Sequence, residues 1–79
     1  MMDVFEFDGR LIEVIEFADN DPDTEMSYEV SDITVGDNRG QLFTLTDWGD
    51  RVLLELHQKS VDLAVLLYVA RKYDLPTTV

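Results

Sequence analysis

The pair Asp8 and Gly9 sits between two stretches in which apolar and polar residues alternate, and it constrains the fold more than any other feature of the chain. A two-residue type I′ turn needs positive φ at both central positions, and Asp-Gly is among the few pairs that tolerate it. Residues 4–7 read Val-Phe-Glu-Phe and residues 10–17 read Arg-Leu-Ile-Glu-Val-Ile-Glu-Phe, in which the β-branched and aromatic content favours strand over helix. A turn at 8–9 then fixes the register, with Phe7 opposite Arg10 and Phe5 opposite Ile12. Phe5, Phe7, Ile12 and Val14 share one face, while Glu6, Leu11, Glu13, Ile15 and Phe17 share the other. Neither face is purely polar, so the second is expected to be half covered.

Residues 19–25 read Asp-Asn-Asp-Pro-Asp-Thr-Glu, an acidic loop interrupted by proline. A third strand is predicted over 26–35. Its apolar phase shifts from Met26, Tyr28 and Val30 to Ile33 and Val35, which predicts a bulge near Ser31 and Asp32. A turn at 36–40 leads to a fourth strand over 41–46, with Phe43 and Leu45 on one face. Residues 51–56 suit either a fifth strand, in which Val52, Leu54 and Leu56 alternate, or a helix through Val52, Leu53 and Leu56; strand is preferred. Ser60 reads as the N-cap of a final helix, with Asp62 in its first turn. That helix runs to about Asp74, its C-terminal dipole matched by Arg71 and Lys72, and Pro76 stops it. The expected fold is α+β: a small antiparallel β-sheet of four or five strands in meander order, with one C-terminal α-helix packed on one face.

The predicted helix is apolar around its whole circumference, because Val61, Leu63, Ala64, Val65, Leu66, Leu67, Tyr68, Val69, Ala70 and Tyr73 leave no polar arc. A sheet can cover one side of it. A curled sheet could wrap the rest, but a homodimer is the preferred expectation, with Leu63, Leu66, Leu67, Ala70 and Tyr73 as the oligomerisation face.

Composition sets the outer limits. Seventy-nine residues hold one small domain spanning 1–79: an acidic β-hairpin, loop and third strand over 1–37, further strands over 38–59, and an apolar helix over 60–75. The absence of cysteine removes both disulfides and thiolate metal sites. A hydrophobic fraction of 46% is too high for a disordered acidic tail. The N-terminus has no basic start or apolar run of a signal peptide, and the apolar stretch at 63–70 is far shorter than a membrane span, so a cytoplasmic protein with no membrane partner is expected.

The net charge of −11 is segregated. Residues 1–37 contain twelve acidic residues and a single arginine, Arg10, whereas residues 38–79 contain five of each sign and sum to zero. A surface of this sign argues against direct contact with nucleic acid, which needs cations to neutralise phosphate. Asp19, Asp21, Asp23 and Glu25 recur at every second position, so an extended segment would project them to one side. With Glu13, Glu16, Glu29 and Asp32 near by in sequence, they form the candidate partner-binding set: a row of anions that imitates one edge of a nucleic-acid backbone and fits a protein with a basic nucleic-acid-binding groove.

Chemistry is sparse. Nothing near the one histidine, His57, in sequence suggests a nucleophile–base arrangement with Ser or Thr, and one His without Cys does not make a zinc site. Asp19, Asp21 and Asp23 match positions 1, 3 and 5 of an EF-hand loop, but Thr24 stands where the loop needs Gly and Val30 where it needs a bidentate Glu. The expectation is therefore no enzyme, no catalytic residue, no metal and no cofactor. In length, acidity and lack of cysteine the chain is similar to phage-encoded anti-CRISPR and anti-restriction inhibitors and to nuclease immunity proteins, although no motif carries that likeness. It implies a small acidic inhibitor or decoy acting by occupancy. The alternative is an oligomeric assembly module that uses its apolar helix. A halophile's acidic coat ranks third, because residues 38–79 are neutral.

Overall fold

Both central residues of the first turn have positive φ, 52° at Asp8 and 78° at Gly9, as a type I′ turn requires. They join β1 (Met2–Phe7) to β2 (Arg10–Phe17) in a computed structural model that describes residues 1–18, 20–22, 24–34, 40–60 and 62–75. The hairpin register is the expected one, with Phe5 opposite Ile12 and Phe7 opposite Arg10. Then follow β3 (Met26–Asp32), β4 (Gln41–Asp47), β5 (Val52–Leu56) and α1 (Leu63–Lys72). The strands form a single antiparallel sheet in the order β1-β2-β3-β4-β5, so the α+β meander is the fold, and residues 52–56 are strand.

The irregularity expected near Ser31 and Asp32 is present, with its extra residue on β4. Pairing moves from Val30 opposite Phe43 to Ser31 opposite Gln41, so the extra residue is Leu42 on β4 and the irregularity lies between Val30 and Ser31. Here the chains approach closely: a Cβ on Gly40 would overlap the backbone carbonyl oxygen of Asp32. Val35 and the predicted turn at 36–39 lie outside the described residues, as do Val61 and Pro76.

Ile12, Val14, Tyr28, Val30, Phe43 and Leu45 project from one face of the sheet and meet Val65, Val69, Ala70 and Leu75, which together form the buried core. Tyr68 packs against Phe5 and Phe7 with ring centroids 5.1 and 4.8 Å away, and Tyr73 packs on Tyr28 at 4.9 Å. The twisted sheet thus claims a wide arc of the apolar helix, from Tyr68 over β1 to Leu66 and Ala70 in the core. The helix also starts later than expected. Asp62, not Ser60, is the N-cap: it is extended (φ −82°, ψ 97°) and its side chain accepts from the Val65 N–H at 3.3 Å. Arg10 holds that carboxylate from the start of β2 with a 2.7 Å ion pair, which fixes where the helix begins.

Candidate protein-binding face of the sheet

In an antiparallel sheet, directly opposed residues project to the same side, so the register sorts every strand side chain onto one of two faces. The helix-side face carries Asp3, Glu16, Asp32 and Asp47 among its apolar residues. Three of these acids are engaged within the molecule, Asp47 accepting from the Gly49 N–H at 2.8 Å. Asp3 lies 3.6 Å from Lys72 and accepts from the Tyr73 hydroxyl at 3.0 Å. Asp32 accepts hydrogen bonds from the hydroxyl and backbone N–H of Thr34 and faces Arg10 at 3.9 Å. The Thr34 hydroxyl bond, with the Thr34 N–H and Arg10 adding to it, holds the Asp32 carboxyl below its usual pKa. Asp62 is lowered in the same direction, chiefly by the Arg10 hydrogen bond.

Among the described residues no helix lies over the opposite face. From β1 and β2 it presents Met2, Val4, Glu6, Leu11, Glu13, Ile15 and Phe17, and from β3 and β4 Ser27, Glu29, Ser31, Thr44 and Thr46. From β5 it presents Leu53 and Glu55. Register places Glu6, Glu13 and Glu29 along a diagonal and sets Glu55 level with Glu29, two strands further on. Glu13 is opposite Val4 and Ser31, one step from Glu6 on β1 and from Glu29 on β3; Glu29 and Glu55 flank Thr44 on either side. Diagonal neighbours of this kind stand roughly 7–8 Å apart. No Lys or Arg occupies a strand position on this face; Arg51 lies just past the end of β4, in the turn, with its guanidinium 5.7 Å from the Trp48 ring. Among the described residues Glu6, Glu13 and Glu55 have no ion-pair partner, and Glu29 accepts from Gln41 Nε2 at 2.6 Å.

Apolar side chains border the diagonal. Met2, Val4, Leu11, Phe17 and Leu53 are all exposed, whereas the β3–β4 strip is floored by small hydroxyl residues, Ser27 lying 3.4 Å from Thr46 Oγ1. His57 Nε2 is 2.8 Å from Thr44 Oγ1 at the open edge of this surface. The pair is exposed and fastens the end of β5 to β4, together with the His57 N–H donating to the Leu42 carbonyl at 3.0 Å.

The residues singled out from the sequence as one binding row are divided by the sheet. Glu13 and Glu29 stand on the open face, while Glu16 and Asp32 are on the helix side, opposite Tyr28 and Ile12 respectively. Parity explains the split, since residues an odd number apart on a regular strand project to opposite faces. Asp21 and Glu25 belong to the β2–β3 connection, where Thr24 donates to the Asp21 carbonyl from both its N–H and its hydroxyl. Asp19 and Asp23 lie outside the described residues. Glu6 and Glu55 were missed because nothing local in the sequence tells which distant strands will be neighbours. Of the helix residues proposed for self-association, Leu63 is exposed and Leu66 and Leu67 are half-buried. Ala70 is buried against the sheet and Tyr73 is bonded to Asp3, so these two face inward.

Val30, the residue at position 12 of the partial EF-hand spacing, is fully buried in the core and offers no ligand. Among the described residues no group of three or more His, Asp or Glu side chains is close enough to hold a metal ion. Among those residues, too, no helix is long and apolar enough to cross a membrane. No family model, curated protein or solved structure matches the chain.

Proposed function

We propose that the protein is a small acidic inhibitor or decoy that lays its open sheet face into the basic, nucleic-acid-binding groove of another protein. The observation that carries this reading is the diagonal of Glu6, Glu13 and Glu29, with Glu55 level with Glu29 two strands on, on a face without a strand-borne cation. A groove built to neutralise phosphates presents spaced Lys and Arg side chains, and a line of separated carboxylates complements it. The exposed Met2, Val4, Leu11 and Phe17 beside that line supply the apolar contact that salt does not screen. Action is by occupancy: the partner loses access to its nucleic acid, with no turnover and no cofactor. The acids on the helix side, of which Asp32 and Asp3 are tied to Arg10 and Lys72 respectively, are outside this surface. The helix-mediated assembly reading has less surface to work with, because α1 spends most of its apolar arc on its own sheet.

The test is a displacement assay following affinity capture from bacterial lysate at about 0.1 M and about 1 M salt, where the Debye length falls from roughly 10 Å to 3 Å. The decoy reading expects a nucleic-acid-handling protein that is retained at low salt and released at high salt. Labelled oligonucleotide bound to that protein should be displaced by the wild type. It should not be displaced by a variant carrying Glu6→Gln, Glu13→Gln, Glu29→Gln and Glu55→Gln. Equal displacement by both proteins would sink the reading.

A further inference from the structure

The sheet has two edges, and they differ in a way that points to one use for β5. Backbone pairing shows which residues present unpaired groups there. The Trp48 N–H donates to the Arg51 carbonyl at 2.9 Å and the His57 N–H to the Leu42 carbonyl at 3.0 Å. Hydrogen-bonded pairs alternate along an antiparallel ladder. Arg51, Leu53, Glu55 and His57 therefore turn their backbone groups toward β4, while Val52, Leu54 and Leu56 turn theirs outward. The same argument applies at the other edge, where Met1 and Glu16 exchange bonds at 2.8 and 3.1 Å. There Met2, Val4 and Glu6 face outward.

Natural edge strands are blunted by charge, and β1 is. Its charged residues are Asp3 and Glu6, Asp8 follows in the turn, and no cation lies on the strand. Two copies meeting along β1 would bring only like charges together. β5 is different. Leu53, Leu54 and Leu56 are 57%, 38% and 44% exposed, and α1, packed on core residues from β1 to β4, does not cover them. Its charges are of both signs, Arg51 just before the strand and Glu55 within it.

We propose that two copies of this chain pair antiparallel through β5, about a twofold axis passing at Leu53, to form a continuous ten-stranded sheet. Complementarity selects this register. Leu53 lies opposite Leu53 of the second copy, Val52 opposite Leu54, and Arg51 opposite Glu55, each of the last two pairs occurring twice by symmetry. A twofold at Glu55 is blocked, since that carboxylate would face its own copy; a twofold at Leu54 sets Glu55 against Leu53. The pairing is isologous and closes at two copies, unlike β1-to-β5 pairing, which would continue into a fibre. The open faces of both copies then lie on one side of the joined sheet, so the dimer presents two Glu6–Glu13–Glu29 diagonals while Glu55 is taken up by Arg51 of the second copy at the seam. The pairing stands independently of what that surface binds.

The experiment is sedimentation velocity over a concentration series, with circular dichroism on each variant as the check on folding. Wild type should run at twice the monomer mass. Leu53→Lys, a change at an exposed side chain, should remain folded and run as monomer. Arg51→Glu and Glu55→Arg should each weaken dimerisation by on the order of tenfold, and the double exchange should restore it, because each then meets the other across the axis. The chain has no cysteine, so Leu53→Cys gives one thiol per copy. Position 53 is a non-hydrogen-bonded pair, whose close approach suits a disulfide, and oxidation should yield covalent dimer at Leu53→Cys and not at Leu54→Cys. A monomeric wild type, a dimer that survives Leu53→Lys, failure of the double exchange to restore pairing, or cross-linking at Leu54→Cys instead would overturn the proposal.

Discussion

The phenol of Tyr73 donates a 3.0 Å hydrogen bond to Oδ2 of Asp3, across 70 positions of sequence. Lys72 reaches the same carboxylate at 3.6 Å and lies over the Phe5 ring at 5.1 Å. The last turn of α1 is thereby tied to the outermost strand of the sheet, and Asp3 is withdrawn from the acidic surface.

Tyr73→Phe is expected to lower stability by about 1 kcal/mol, the usual net worth of one such bond. Burial first, and then the hydrogen bond to Asp3, raise the Tyr73 pKa above its ordinary value of 10.0. A phenol that holds its proton more tightly when folded stabilises the fold fully below the unfolded value. That contribution declines as pH climbs above 10 toward the folded value. Denaturant midpoints between pH 9 and 11 should fall for the wild type and fall less for Tyr73→Phe.

Acid should act at the other end of the helix. Asp32 and Asp62 have lowered pKa values in the fold, so their contribution is present above the ordinary carboxylate value of 3.8 and is lost as pH falls below it. Asp62→Ala removes the N-cap and the partner of Arg10, and should cost roughly 1 kcal/mol at pH 7. The variant should also show a shallower loss of stability between pH 5 and pH 2 in urea titrations.

Phe43 is fully buried where β4 meets α1. Phe43→Ala should cost about 3–5 kcal/mol, comparable to the roughly 5 kcal/mol total of a marginal small domain. The expected outcome at 37 °C is an unfolded or molten chain, read as loss of near-ultraviolet circular dichroism. Phe17→Ala, at an exposed aromatic on the open face, should leave the midpoint within about 0.5 kcal/mol.

Gly40→Ala should be as damaging as a core truncation, because the new methyl group would meet the Asp32 backbone, which has no rotamer to escape into. Gly9→Ala meets nothing within 4 Å and carries only the strain of φ +78°, a cost of about 1 kcal/mol. Thermal melts of the two variants should differ accordingly, with Gly40→Ala much the lower.

Much of the fold was legible in the sequence because its determinants are local. Asp8 and Gly9 specify a turn, the turn specifies the register of β1 and β2, and period-two alternation then assigns Phe5, Phe7, Ile12 and Val14 to the core side. The same alternation identified Phe43 and Leu45, and the order of strands followed from short connections. Which acids would share a surface was not legible. Glu16 and Asp32 are near Glu13 and Glu29 in sequence yet face the helix, and Glu6 and Glu55 come from strands far apart in the chain.

The sequence by itself determined the hairpin, the strand faces, the apolar helix and the total charge, since each depends on neighbours or on a simple count. Only the tertiary structure decided that Asp62 starts the helix, because Arg10 had to arrive from the start of β2 to hold it. It alone brought Glu6, Glu13, Glu29 and Glu55 onto one surface, because that placement depends on the registers of four successive strand pairings. Long-range pairing is a property of the whole sheet, and no local pattern of side chains encodes it.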